Sequence, residues 1–454
     1  MEFEQALEVV RLAFNRTIPR LLTEAEIALL FGAWNKLPYD RIAERSGYSI
    51  NYLQRDIGPK FWKLLSDALG RKVNKTTLCA ILTHLDDPIS ALPQTQRSID
   101  WGEANDVSRF HGRVEEIETL TQWMIHDRCR LIALVGMGGI GKSALAVKVA
   151  QQVQEQFEFV IWRSLRHAPP LEILLAELVP FLSKQQDIQA KLERLLYWLQ
   201  THRCLVILDN QETLLRAGDR AGCYQSNFTN YGGLFQMLGE ASHQSCVLLT
   251  SRENSAEIAI FEDLNGSVRS LSLKGSWEAS LALIDSKRLV GTPAEKRQLC
   301  EFYRCNPLAL KMVAASIQSL FAGEIAAFLQ AETPIFNGIR RLLEQQFERL
   351  SSLEQTIMYE LAINREWTAI AKLQADIVPA ISCASLLESL ESLIWRSLIE
   401  TRLPKGEAKP TSEYTQQPVI MEYVTDCLIR QRATEVLTVQ TSCLNHYKKR
   451  TSKD

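Results

Sequence analysis

The sequence predicts an α/β core built on a parallel sheet, with an all-helical unit before it and further helical units after it. Three observations carry that prediction. Five contiguous apolar runs, LIALVG from 131, EFVIWRSL from 158, CLVILD from 204, CVLLTS from 246 and VRSLSL from 268, are separated by stretches long enough for a covering helix. Uninterrupted apolar stretches such as LIALV, LVIL and CVLL within them suit strands buried on both faces, the habit of parallel sheets. The 454 residues are ample for about three domains, and 46% hydrophobic with 23% charged residues excludes global disorder.

Lys plus Arg number 51 against 53 Asp plus Glu, so no whole-chain field draws this protein to nucleic acid or to an anionic membrane. The ten cysteines show no C-x-x-C pair and no Cys/His clustering at zinc spacing, and are expected as reduced core thiols. The N-terminus MEFEQALEVV lacks the basic start of a signal peptide, and glycines and lysines interrupt the apolar stretch from 131. The expectation is a cytoplasmic protein with no membrane partner.

Along the chain, residues 1–85 read as a helical, helix-turn-helix-like unit. Thr23 and Glu26 form a capping box ahead of AEIALLFGAW. Ala43, Gly47 and Leu53 have the separations of a helix-turn-helix, Ala43 being the small residue at the crossing and Gly47 the turn. Gly58-Pro59 should end the second of these helices, with FWKLLSDALG beginning another. Residues 86–107, rich in proline, acids and small polar residues, read as a linker. The α/β core is expected over 108–274 and a helical subdomain over 275–336, where Ser276 and Thr292-Pro293-Ala294-Glu295 supply helix starts. Residues 337–430 read as a winged-helix subdomain, with WRSLIETRLPKGEAKPTSEYTQQPV as its wing, and 431–454 as a terminal helix and tail.

The chemistry concentrates at Gly136-Met137-Gly138-Gly139-Ile140-Gly141-Lys142-Ser143, a G-x-x-x-x-G-K-S loop between a predicted strand and a predicted helix. Glycines let backbone N–H groups approach a polyphosphate, and the helix N-terminus adds partial positive charge. The expected cradle is Gly136, Gly138, Gly139, Gly141, Lys142, Ser143 and Ala144, with Lys142 on the β- and γ-phosphates and Ser143 on Mg²⁺. Asp209 ends a buried strand on the ligand-binding edge and should be the second metal residue. Asn210 follows it and cannot take a proton from water, so Glu212 is the candidate base, weighed equally against a solvated first-turn carboxylate. Arg252, ending another strand, is read either as a γ-phosphate contact or as a strand-end salt bridge.

Together these motifs resemble the NB-ARC branch of the STAND nucleotide-switch ATPases, over roughly residues 108–430. FHGRVEEIETL resembles the Gly-Arg-Glu motif ahead of the loop, VLLTSRE the sensor strand with Arg252, and CNPLALKMVA the Gly-x-Pro motif with Pro307. More narrowly, DWGEANDVSRFHGR and QPVIMEYVT resemble cyanobacterial members that often carry C-terminal WD repeats. The resemblance implies ATP and ADP with Mg²⁺ as ligands, slow hydrolysis, an ADP-bound off state and an ATP-bound on state. It also implies nucleotide-dependent homo-oligomers, and base-side contacts from His111, Gly112, Arg113 and Pro307. Three positions depart from the pattern: Val114 stands for the motif glutamate, Asn210 for the second acid, and Gln416-Gln417-Pro418 for Met-His-Asp, so that Gln417 replaces a phosphate-contacting histidine. No β-repeat array follows before Asp454, so the usual sensing domain is not expected in this polypeptide.

Residues 36–75 carry an excess of five positive charges, and Asn51, Gln54 and Arg55 fall on the predicted second helix. The resemblance to STAND proteins implies that the first unit is an effector, and it is read as one contacting protein partners, its basic face being solvated. The alternative is a nucleotide-gated transcriptional regulator whose helix-turn-helix binds DNA.

Overall fold

Alternate residues of the apolar runs go to opposite faces of one sheet. In the computed structural model, which describes residues 3, 6–7, 10–11, 22–69, 71–83, 97–108, 110–262, 266–331, 337–403 and 412–432, the strands are β1 (Ser98–Asp100), β2 (Leu131–Val135), β3 (Phe159–Ser164), β4 (Cys204–Asp209), β5 (Cys246–Ser251) and β6 (Val268–Ser272). Their order is β1-β3-β4-β5-β2-β6. β2 runs parallel to β5 and β6, and β4 parallel to β3 and β5. Leu131, Ala133, Val206, Leu208, Val247 and Leu249 enter one apolar cluster. Ile132, Leu134, Leu205, Ile207 and Leu248 enter another on the opposite face. Both faces are covered, which is why no polar alternation is written into these strands.

Register then aligns three strand ends. Leu249 of β5 is level with Leu208 of β4 and with Ala133 of β2. Asp209, Arg252 and the loop after Val135 therefore leave the sheet side by side. The short β1 falls within the stretch read as linker; residues 98–100 join the sheet instead, anchored by Arg163, whose Nη2 lies 2.8 Å from Asp100 Oδ2.

Beyond the sheet, the helix Trp277–Ser286 is capped by Ser276, and Pro293–Phe302 by the Thr292 and Glu295 capping box, as the sequence predicts. Asn306 caps Pro307–Leu320 through Leu308 N–H and Ala309 N–H. Further on come helices Asn337–Phe347, Ser352–Asn364, Ile370–Asp376 and Cys383–Trp395. A three-stranded antiparallel sheet joins them, formed by β7 (Thr368–Ala369), β8 (Ile399–Arg402) and β9 (Glu413–Gln416) in the order β7-β9-β8. The sequence pattern anticipated β8 and β9 but not β7, whose two residues are too few to show a period. One apolar core, including Leu299, Val313, Met358, Leu390 and Tyr423, runs through both the 275–336 and 337–430 segments. Residues 433–454, most of the expected terminal helix and tail, lie outside the described residues.

Met1–Ser98 forms a compact unit of its own. The Thr23 and Glu26 capping box opens Glu24–Trp34, and Gly47, at φ 76°, ends Tyr39–Ser46. A tight helix approach lies at Gly32, where a Cβ would come within 2.2 Å of Ile42 Cδ1, while Ala43 packs against the same core. Pro59 does not end a helix. Tyr52–Ile57 widens into a π-turn that continues directly into Gly58–Leu69, and Gly58 N–H bonds Leu53 O. The wider turn offsets the missing proline N–H and relieves the clash of its ring with the preceding turn. No helix among the described residues is long and apolar enough to cross a membrane.

Candidate functional site

The loop after β2 turns sharply at Gly139 (φ 80°) and Gly141 (φ 102°), conformations that side-chain-bearing residues rarely adopt. Lys142 and Ser143 then open the helix Lys142–Val153, with Gly141 as its N-cap. Lys142 is buried, and its Nζ donates to Gly136 O at 2.6 Å and Met137 O at 3.1 Å. Burial lowers its pKa to about 8, with Glu212 and Asp209 acting in the opposite direction and Arg252 adding to the fall. An ammonium curled onto its own loop's carbonyls is a cation poised for an anionic ligand.

Ser143 Oγ donates to Asp209 Oδ1 at 2.6 Å, and Thr250 Oγ1 donates to the same oxygen at 2.5 Å. Burial raises the Asp209 pKa, and the Ser143 and Thr250 hydrogen bonds act in the opposite direction. A buried carboxylate touching a hydroxyl is an all-oxygen donor set, which suits Mg²⁺ held by few protein groups and completed by phosphates and water. Among the described residues, no group of three or more His, Cys, Asp or Glu side chains could hold an ion without such help.

Asn210 sits at φ 67°, a left-handed position that asparagine tolerates, and its N–H bonds Thr250 Oγ1 at 3.1 Å. That turn aims Glu212 inward. Glu212 is buried, not solvated: its Oε1 lies 3.1 Å from Arg252 Nε, and its Oε2 accepts the Arg252 backbone N–H at 3.2 Å. The salt-bridge reading of Arg252 therefore describes this state, although the guanidinium still lines the ligand cleft.

That cleft has a volume of about 570 Å³. It brings together Gly138, Gly139, Gly141, Lys142, Ser143, Ala144, Asn210, Glu212, Arg252 and Pro307. Asn105, Asp106, Leu308 and Lys311 complete its wall. Sequence reasoning missed these four, and also Asn306, whose Nδ2 donates to Gly138 O at 3.0 Å and ties the loop to the helical segment. An asparagine directly before a helix-starting proline is a cap signal that marks Asn306. The remaining base-side candidates are placed differently. Arg113 is buried, with Nη2 donating to Ile140 O at 2.9 Å and Nη1 lying 2.8 Å from Glu116, so it props the loop from behind. Glu116 thus partners Arg113 where Val114 cannot. Gly112 packs on Ser276 and Ala279, and His111 is exposed. Gln417 lines a neighbouring cavity with Arg304, Cys305 and Glu400 rather than the Lys142 cleft, while Gln416 is buried with Nε2 donating to Met358 O.

Residues 113–217 match the NB-ARC domain, and residues 1–85 match the vWA-MoxR associated protein N-terminal HTH. An uncharacterized WD repeat-containing protein of Nostoc sp. (strain PCC 7120) is 48% identical over 356 residues, covering 74% of this chain. The chain spans only 28% of that relative's length. Among solved structures, the Walker-type ATPase of Pyrococcus abyssi is similar at 16% identity and a TM-score of 0.46, over 69% of this chain and 95% of that one. A Signal Transduction ATPase with Numerous Domains carrying a tetratricopeptide repeat sensor, from Pyrococcus horikoshii, is similar at 18% identity and a TM-score of 0.37, over 72% of this chain and 44% of that one.

Proposed function

From the premise that the middle of this chain is an NB-ARC domain, preceded by an N-terminal helix-turn-helix domain, we propose that the protein is a nucleotide-operated signalling switch, off with ADP and on with ATP. The observation that carries this reading is the convergence of Lys142 and Ser143 in one cleft, with Ser143 Oγ donating at 2.6 Å to Asp209 behind it. Lys142 and the loop N–H groups would grip the phosphates, while Ser143 and Asp209 would hold Mg²⁺, which neutralises phosphate charge when bound. Glu212 is the candidate base. Its pairing with Arg252 keeps it occupied until a γ-phosphate competes for the guanidinium, and this favours slow hydrolysis. Residues 337–430 are read as a winged helix, a reading supported by the four helices named above and an antiparallel three-stranded sheet. Exchange of ADP for ATP would move this unit, since only ATP offers a γ-phosphate.

In this reading the first unit is the cytoplasmic effector that meets protein partners, and nucleotide-driven homo-oligomers follow from the exchange. A second reading has one observation of its own: Asn51, Gln54 and Arg55 are all exposed on a single helix, the residue types that read bases in a DNA groove. Lys142→Ala is expected to abolish binding of both ADP and ATP in calorimetric titration; unchanged affinities would refute the switch. Affinity of the chain for duplex DNA that collapses as salt rises would favour the second reading over a protein-only effector.

A further inference from the structure

Gln346 is a buried polar side chain to which the reading above gives no work. It lies near the end of the helix Asn337–Phe347 and is 6% exposed, and neither Nε2 nor Oε1 has a hydrogen-bond partner in the structure. Leaving an amide buried and unpaired is costly, and native structures seldom do so without a use for the group. Its position is specific. A Cβ placed on Gly138 of the phosphate loop would meet Gln346 Nε2 at 2.6 Å and Arg252 Cζ at 3.4 Å. Gly138, with no side chain, thus has both groups lying directly over it.

We infer that Gln346 is a nucleotide-contacting residue contributed by the 337–430 segment, its amide donating to the terminal phosphate of a bound nucleoside triphosphate. This deepens the switch reading and rests on it. Gln346 and the Arg252 guanidinium flank the same spot above Gly138, so they face the same end of the phosphate chain. Gln417, the residue aligned with the family's phosphate-contacting histidine, lines a different cavity, which leaves Gln346 as the amide of this segment that lies against the loop. Arg349 positions it. One helical turn on, Arg349 Nη2 donates to Glu212 O at 2.9 Å and pairs with buried Glu253, fixing the end of the helix against the strand that carries Arg252.

The test uses the full chain with Gln346→Leu and Gln346→Met, two apolar replacements of similar size in a slot beside Leu342. ADP and a non-hydrolysable ATP analogue are titrated calorimetrically, and the ligand-free proteins are melted. Expected is a loss of about tenfold or more in affinity for the analogue, the worth of a hydrogen bond to a charged group. ADP affinity should stay within about twofold, and the melting temperature should hold or rise because an unpaired amide has gone. Native affinity for the analogue in both variants overturns the inference. So does a parallel loss of ADP, analogue and thermal stability, which marks Gln346 as structural. A native chain that binds neither nucleotide refutes the switch itself, and this inference with it.

Discussion

Arg252 and Glu253 are neighbours in sequence and opposites in environment. Arg252 turns toward the cleft, its side chain 30% exposed, and shares Glu212 with the field of Lys142. Glu253 turns away, 2% exposed, into a clasp with two arginines of the later segment. Arg396 Nη1 lies 2.7 Å from Glu253 Oε2, and Arg396 Nη2 donates to Asp219 O at 2.6 Å. Arg396 Nε reaches Glu354 at 3.4 Å, and Glu354 also accepts Ser392 Oγ at 2.5 Å. A half-wet pair beside a ligand can exchange partners when a phosphate arrives, whereas a dry pair holds because neither charge can return to water without opening the interface. One strand end therefore carries a contact suited to reading the ligand and a contact suited to holding the fold.

Breaking the dry side should have the largest effect. Glu253→Gln leaves Arg349 and Arg396 facing a neutral group in a buried setting. The expected cost is about 3–5 kcal/mol in the unfolding of the 99–454 unit, read by chemical denaturation. Adding Arg396→Met to that variant should cost less than Arg396→Met in the native chain, because the Glu253 charge it would leave without this partner is already gone. Independent, additive losses would show that the two side chains are not coupled.

The wet side should respond to pH instead. A phosphate ligand needs Lys142 protonated, and the ligand-free pKa is about 8 against an ordinary value of 10.5. Below that pKa the charge is already in place and ADP affinity should be flat. Above it, binding must take up a proton, so affinity should fall by up to about tenfold per pH unit until the pKa of the bound state is reached. The same depressed value has the opposite consequence for folding. Between about 8 and 10.5 the unfolded chain binds more protons, so Lys142's contribution to stability rises with pH in that window. Calorimetric titration between pH 6.5 and 9.5 checks the first statement; an affinity flat through that range would mean that the ammonium is not a principal phosphate contact.

The two sides were unequally legible in the sequence. Lys142, Ser143, Asp209 and Arg252 could be placed because contiguous apolar strands fix which residues emerge at the carboxyl edge, and the glycine spacing fixes the loop. Glu253 sits beside Arg252 in the same segment, yet its partners lie about a hundred or more residues on, and nothing local pairs a glutamate with an arginine at that range. Gln346 left a faint mark: Ile339, Leu342 and Leu343 recur with helical spacing, and an amide at 346 occupies the next place in that apolar stripe. The motif that contains Arg113 locates the segment but does not say which way the guanidinium turns; burial against Ile140 decides it. Pro59 misled, since a proline ends a regular α-turn but is tolerated by a π-turn, and both begin from the same residues.

An exposed pair supplies the small end of the comparison. Arg365 Nη1 and Glu422 Oε1 are 3.2 Å apart, closer than many strong pairs require, but their side chains are 53% and 36% exposed. Water screens the attraction, and holding two long side chains in one geometry costs rotamer entropy, so the separation alone says little about the energy. Arg365 also occupies a left-handed C-cap position at φ 54° after the helix Ser352–Asn364, where replacement by alanine would mix backbone strain with the lost charge. Glu422→Gln removes the ion pair without that complication. Its expected effect on unfolding is about 0–1 kcal/mol and should shrink further in high salt, whereas the Glu253→Gln loss should be largely salt-insensitive. Equal salt dependence in the two variants would mean that water reaches Glu253, and the division of labour at the end of β5 would then rest on something other than burial.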